Sequence, residues 1–100
     1  MSAPSAQIHP FALQEAEAAV EWYGQRSIRA AQRFLGELED AISRIEDHPK
    51  QFPEYALGTR KVVLLKFPYF IVFRETASGV EIIAIAHGHR RPGYWRERIA

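Results

Sequence analysis

Between Ser27 and His48 the apolar residues Ala31, Phe34, Leu35, Leu38, Ala41, Ile42 and Ile45 recur at three- and four-residue steps, with mostly charged and polar residues between them. That period draws a single stripe along one helix. Pro49 stops it at His48, because a proline ring crowds the helical geometry of the residue before it. Such a stripe is costly to leave in water, so the rest of the chain must provide a surface to cover it.

A second helix precedes it. From Pro10 to Tyr23 the residues Leu13, Ala16, Val20 and Tyr23 keep helical spacing, which leaves Glu15, Glu17 and Glu21 for other faces. Pro10 suits the first turn, and Gly24 is placed to cap the end. With few residues between them, the two helices should form an antiparallel hairpin. The short stretch Ala6 to His9 reads as a first strand. After the loop "PKQFPEYALGT", the run Arg60 to Phe67 is rich in Val and Leu, Tyr69 to Arg74 is aromatic and β-branched, and "TASG" turns the chain into Val80 to His87. The expected fold is therefore α+β: a short N-terminal strand and a helical hairpin on a three- to four-stranded, mainly antiparallel sheet. At 100 residues, 47% of them hydrophobic, residues 1–100 are expected to form one domain.

Alternation places Tyr69, Ile71 and Phe73 on one face of the sheet and Phe70, Val72 and Arg74 on the other. In the last strand it groups Ile83, Ile85 and His87 against Ile82, Ala84 and Ala86. One face should cover the helices, and the other should stay partly open.

Cysteine is absent, which removes disulfides, thiolate nucleophiles and the common structural zinc sites. The N-terminus has no basic region followed by an apolar run, and no segment approaches the roughly 18 to 20 apolar residues of a membrane span. A soluble, cytoplasmic protein without membrane contact is expected. The net charge of +1 hides an asymmetry: residues 1–57 carry nine acids and five bases, and residues 58–100 three acids and eight bases. The second half should present a cationic surface, unless its charges are ordinary solvated ones.

That surface culminates in "AHGHRRPGYWRER", residues 86–98. His87 and His89 point the same way on an extended segment, yet two imidazoles fall short of the three or four ligands of a metal site, so no metal and no cofactor are expected. No phosphate loop, HExxH or GxSxG occurs. Metal-independent RNA cleavage needs only a base, an acid and phosphate-binding cations. His87, His89 and Tyr94 are candidates for the proton transfers, and Arg60, Lys66, Arg74, Arg90 and Arg91 for contact with phosphate or a target. The competing reading is a polar sheet edge with a basic tail, in which Trp95 packs inward.

The segments "ALQEAEAAVEWY", "AAQRFLGELEDAISRIEDHP", "FPYFIVFRE" and "VEIIAIAHGHRRP" together resemble the RelE/ParE superfamily of type II toxins over nearly the whole chain. Within that superfamily, ribonuclease members carry a phosphate-contacting arginine where this chain has Phe70. Arg74 and the "AIAHGHRR" segment are similar to the ParE-like branch. Tyr94, by contrast, lies where ribonuclease members place a functional tyrosine. The resemblance implies a growth-inhibiting, plasmid-stabilising toxin that binds a target, with DNA gyrase the one associated with ParE. The alternative is a ribosome-dependent endoribonuclease acting on mRNA, and a third reading is a degenerate member without toxicity. Whether it is an enzyme stays open, leaning against. A cognate antitoxin is the implied partner, docking on the hairpin at Leu13, Trp22, Phe34 and Leu38, with operator DNA reached only through it.

Overall fold

The computed structural model describes residues 6–99. Four strands, β1 (Ala6–Ile8), β2 (Arg60–Val63), β3 (Tyr69–Thr76) and β4 (Gly79–His87), form one sheet in the order β1-β4-β3-β2. β1 runs parallel to β4, and the other pairs are antiparallel. Helices α1 (Pro10–Gly24) and α2 (Ile28–Asp47) cover one face. No helix among the described residues is long and apolar enough to cross a membrane.

Both helices start on side-chain caps. The Nδ1 of His9 accepts the Phe11 N–H at 3.1 Å just before Pro10, and Ser27 Oγ accepts the Ala30 N–H at 3.1 Å. On α2 the expected stripe is buried at Phe34, Leu38, Ala41 and Ile45. Each of its three large side chains contributes about 1.5–3 kcal/mol by leaving water. On α1 the buried line runs through Ala12 and Ala19, with Ala16, Val20 and Tyr23 packed beside it, so Leu13 is turned out and 47% exposed. Gly24 also departs from expectation. It is the last residue of α1, and the cap falls on Gln25 in right-handed geometry.

β2 stops at Val63, short of the expected Phe67. The Glu37 carboxylate on α2 accepts the N–H groups of Leu65 and Lys66, drawing the segment out of the ladder. β3 alternates as its sequence indicates, with Tyr69, Ile71 and Phe73 toward the helices. β4 does not. Val72 lies opposite Ala84, and Phe73 opposite Ile82, so Ile83 is an extra, bulged residue. A bulge reverses the facing of the residues beyond it. Ile82 and Ile85 therefore share the helix face, and Ile83, Ala84 and Ala86 the other.

The second face is closed as well. Phe70, Val72, Ile83, Ala84 and Ala86 pack against Trp95, which has no exposed surface, with Tyr55, Tyr94 and Ile99 around it. The expected partly open face is thus covered by the C-terminal segment and the loop before β2, because both carry rings that gain by burial. The Trp95 indole Nε1 is buried without a hydrogen-bond partner among the described residues.

Candidate functional site

β1 pairs with Val80, Glu81 and Ile82, so among the described residues the outer edge of β4 beyond Ile82 has no neighbouring strand. Unpaired backbone groups there need other partners. Glu15, from the second turn of α1, provides one: its Oε1 accepts the Ile85 N–H at 3.0 Å. Arg98 provides the other, donating from Nη1 to the Ile83 carbonyl at 3.1 Å. The two side chains also meet each other through both forks, Nη1 to Oε1 at 2.8 Å and Nη2 to Oε2 at 3.0 Å. A carboxylate and a guanidinium thus stand where a strand would place a C=O and an N–H.

The Tyr94 hydroxyl completes the group, donating to Glu15 Oε2 at 2.6 Å. Burial pushes the Tyr94 phenol well above its ordinary value, and the hydrogen bond and negative charge of Glu15 add to this. The charges of Arg98 and Arg90 oppose the rise without cancelling it. The Arg90 guanidinium lies 3.9 Å from the Tyr94 ring centroid. His87 and His89 are stacked with centroids 5.1 Å apart, and the His89 N–H donates to His87 Nδ1 at 3.2 Å. The Tyr69 ring meets His87 edge-on at 5.2 Å.

Between this end of β4 and α1 lies a cleft of about 260 Å³, lined by Ala18, Ala19, Trp22, Tyr69, His87, Arg90 and Tyr94 together with Glu15 and Ile85. The Trp22 side of the cleft has its own cation, since the Arg26 guanidinium sits 3.6 Å over the Trp22 ring. His87, Arg90 and Tyr94 are therefore brought together, with His89 beside them. Arg91 faces an adjacent hollow with Arg96.

The remaining expected contacts lie elsewhere. Arg74 is paired with Glu81 at 2.9 Å and donates to the Ile99 carbonyl at 3.3 Å. Its partner Glu81 is six residues from His87 along β4, on the order of 20 Å. Arg60 donates to the Phe52 carbonyl at 2.8 Å and faces Glu75 at 3.7 Å. Lys66 sits on the bend held by Glu37. These five cations do not form one phosphate site. Among the hairpin residues expected to dock a partner, Trp22 is 50% exposed and Leu13 is on the surface, but Phe34 and Leu38 belong to the core at 0% and 4% exposure. They are correctly read as stripe residues, and for that reason they are not surface.

Two residues escape a sequence reading, Glu15 in the site and Lys61 beside the second core. Glu15 looks like a solvent-facing residue by its period, because its partner Arg98 lies 83 positions away. Lys61 stands 4.3 Å over the Phe70 ring and 4.8 Å over Tyr55, returning a cation to the neighbourhood of Phe70 from the adjacent strand. No three His, Asp or Glu side chains among the described residues converge on a metal position.

A family model describing the ParE toxin of the type II toxin–antitoxin system parDE matches residues 6–92. The fold is similar to a solved chain described as "Chromosomal ParDE TA system from P. aeruginosa", with a TM-score of 0.72 and 18% sequence identity over 85% of this chain and 96% of that one. No curated protein matches the sequence.

Proposed function

Because this chain belongs to the ParE toxin family of type II toxin–antitoxin systems, we propose that it is a toxin that acts by binding its target rather than by cleaving RNA. The state of Tyr94 carries this reading. Its hydroxyl proton is committed to Glu15, and its pKa is raised by burial. A tyrosine in that condition is a poor base for a 2′-hydroxyl and is not free to act as an acid toward a leaving oxygen. Phe70 is packed in the second core, and Arg74 is engaged with Glu81. DNA gyrase is the target to which the ParE-like resemblance points.

Neutralisation by a cognate antitoxin fits the outer surface of the hairpin, where Leu13, Trp22, Ile28 and Leu35 are exposed apolar residues. One feature favours the ribonuclease alternative: the stacked His87 and His89 lie beside Arg90, an acid–base pair next to a cation. Inducing the protein and following plasmid supercoiling, the DNA-damage response and mRNA integrity together separates the readings. Altered supercoiling with intact mRNA is expected. Rapid mRNA cleavage with normal supercoiling would replace the binding reading by the ribonuclease one, and absence of toxicity would identify a degenerate member.

A further inference from the structure

We propose that the outward face of α2 is a self-association surface, on which two copies of the chain lay their α2 helices antiparallel about Gly36. The proposal goes beyond the toxin reading and is independent of the toxin's target.

The first reason is the order of charge along the helix. At about 100° per residue, Arg29, Arg33, Gly36, Asp40 and Asp47 fall within about 60° of one another, on the side away from the buried Phe34, Leu38, Ala41 and Ile45. All five are exposed. The bases occupy the first half of this row and the acids the second. A helix dipole favours the reverse, acids near the N-terminus and bases near the C-terminus. α2 has no acid in its first turn and ends on Glu46 and Asp47, with Arg44 the one base of its last turn. An isolated helix gains nothing from that order. A second α2 laid antiparallel sets Arg33 against Asp40 of the other copy and Arg29 against Asp47, each contact made twice by the twofold axis, and it opposes the two dipoles.

The second reason is Gly36, which stands between the bases and the acids. A Cβ there would meet nothing within 4 Å, and its φ is not positive. Nothing inside the chain calls for glycine, and glycine weakens a helix interior. What the missing side chain allows is close approach from outside, since two helices that cross at a small residue bring their axes to about 8 Å. Beside it runs a groove of about 350 Å³, with Arg33, Gly36, Asp40 and Arg44 on the helix wall and Leu65 and Phe67 on the other. Leu65 is 87% exposed, more than any other large hydrophobic residue described. A helix seated over Gly36 takes it out of water.

The third reason identifies the occupant as a second copy. The row holds two arginines and two aspartates, so neither a basic nor an acidic segment is attracted along its whole length. Arg29, Arg33 and Asp47 form no ion pair among the described residues. Asp40 meets only Arg44, at 3.4 Å and with both side chains largely in water, where such a pair is worth little and is readily exchanged. Glu37 is already committed to the N–H groups of Leu65 and Lys66. Arg44 sits on the Leu65 flank, about 60° round the helix from Arg29, so the pairing does not bring these two cations together. A face whose charge changes sign about its own midpoint is complementary to itself, which is what an isologous contact requires.

The test is sedimentation equilibrium of the full chain over rising concentration. A dimer in reversible exchange with monomer is expected, and added salt should weaken it. Arg33→Asp and Asp40→Arg should each weaken the dimer at least tenfold, because each sets like charges face to face. Mixing the two variants should restore association to at least the wild-type level, since one copy then presents two acids where the other presents two bases. Gly36→Leu wedges the crossing apart and should abolish the dimer, while the melting temperature of the dilute monomer stays the same or rises. A chain still monomeric at about 1 mM, the weak end of the affinity scale, would overturn the proposal. So would a dimer indifferent to Gly36→Leu, or a mixture of the two charge variants no more associated than each alone.

Discussion

Glu15 and Arg98, 83 positions apart, meet through two parallel hydrogen bonds of 2.8 and 3.0 Å while each also satisfies a backbone group of β4. Their side chains keep only 18% and 12% of their surface exposed, so the pair is partly desolvated and its loss is felt. Glu15→Ala leaves a charged guanidinium, the Ile85 N–H and the Tyr94 hydroxyl without their acceptor. We expect a loss of about 3 kcal/mol in chemical denaturation, the scale for breaking a buried pair on one side. The double variant Glu15→Leu, Arg98→Met should recover much of that loss, because apolar replacement of both partners removes the stranded charge. Additive losses in the cycle would show that the two residues act independently.

Alkaline pH should weaken the fold through Tyr94. Its folded pKa lies above the ordinary value of 10.0, so the folded chain holds the phenol proton more tightly than the unfolded chain does. The stability this contributes is fully present below pH 10 and drains away as the pH rises above it. Burial moves Tyr23 and Tyr69 in the same direction. Unfolding free energy measured from pH 8 to 11.5 should fall across the upper half of that range. Tyr94→Phe should be less stable at neutral pH and should show a shallower fall; an unchanged alkaline slope would remove Tyr94 as its cause.

How far the fold is legible in the sequence depends on the range of the forces involved. The α2 stripe and its stop at Pro49 depend on neighbours a few residues away, and Ser27 to His48 maps onto Ile28–Asp47 within a residue at each end. The alternation of β3 is equally local. β4 misleads for a different reason. Nothing in "VEIIAIAH" marks which isoleucine bulges, and once Ile83 does, every facing assigned across it is inverted on one side. Leu13 and the alanines of α1 exchange roles because the sheet accepts small residues where α1 approaches it, a property of the packing and not of the helix. Glu15 is beyond reach, since its meaning comes from a tail that folds back from the far end of the chain. His87, Arg90 and Tyr94 can be named because cations and rings crowd one short segment, but the cleft they share with Trp22 belongs to the tertiary structure.

Trp95 should be the dominant side chain of the second core. It is fully buried against Phe70, Val72, Ile83 and Ala86, with the Tyr55 ring 6.0 Å away. Trp95→Ala removes most of that packing and should cost about 3–5 kcal/mol. Trp95→Phe is the more informative change. It leaves some empty space, yet it also deletes the unpaired Nε1 donor, whose burial costs about 1–3 kcal/mol. We expect a net loss of no more than about 2 kcal/mol. Equal losses for the two variants would mean that the indole nitrogen has a partner in solution, such as an ordered water.

Gly36 lies inside α2 on its outer side, where an added Cβ would meet nothing within 4 Å. No positive φ requires glycine there. Its cost is entropic, because glycine gives up more backbone freedom in a helix than alanine does, by about 1 kcal/mol. Gly36→Ala should therefore raise stability by about that amount, or about 4–8 °C in melting temperature for a domain of this size. The position borders a shallow groove formed with Arg33, Glu37, Leu65 and Phe67, so a methyl group there would also obstruct any helix that approaches α2 closely. If the antitoxin docks along this side, Gly36→Ala should make the toxin more stable while weakening the complex, and calorimetry of the free and bound forms reads both changes. A gain in stability with unchanged antitoxin affinity places the dock away from the outer side of α2, toward Leu13 and Trp22 on α1.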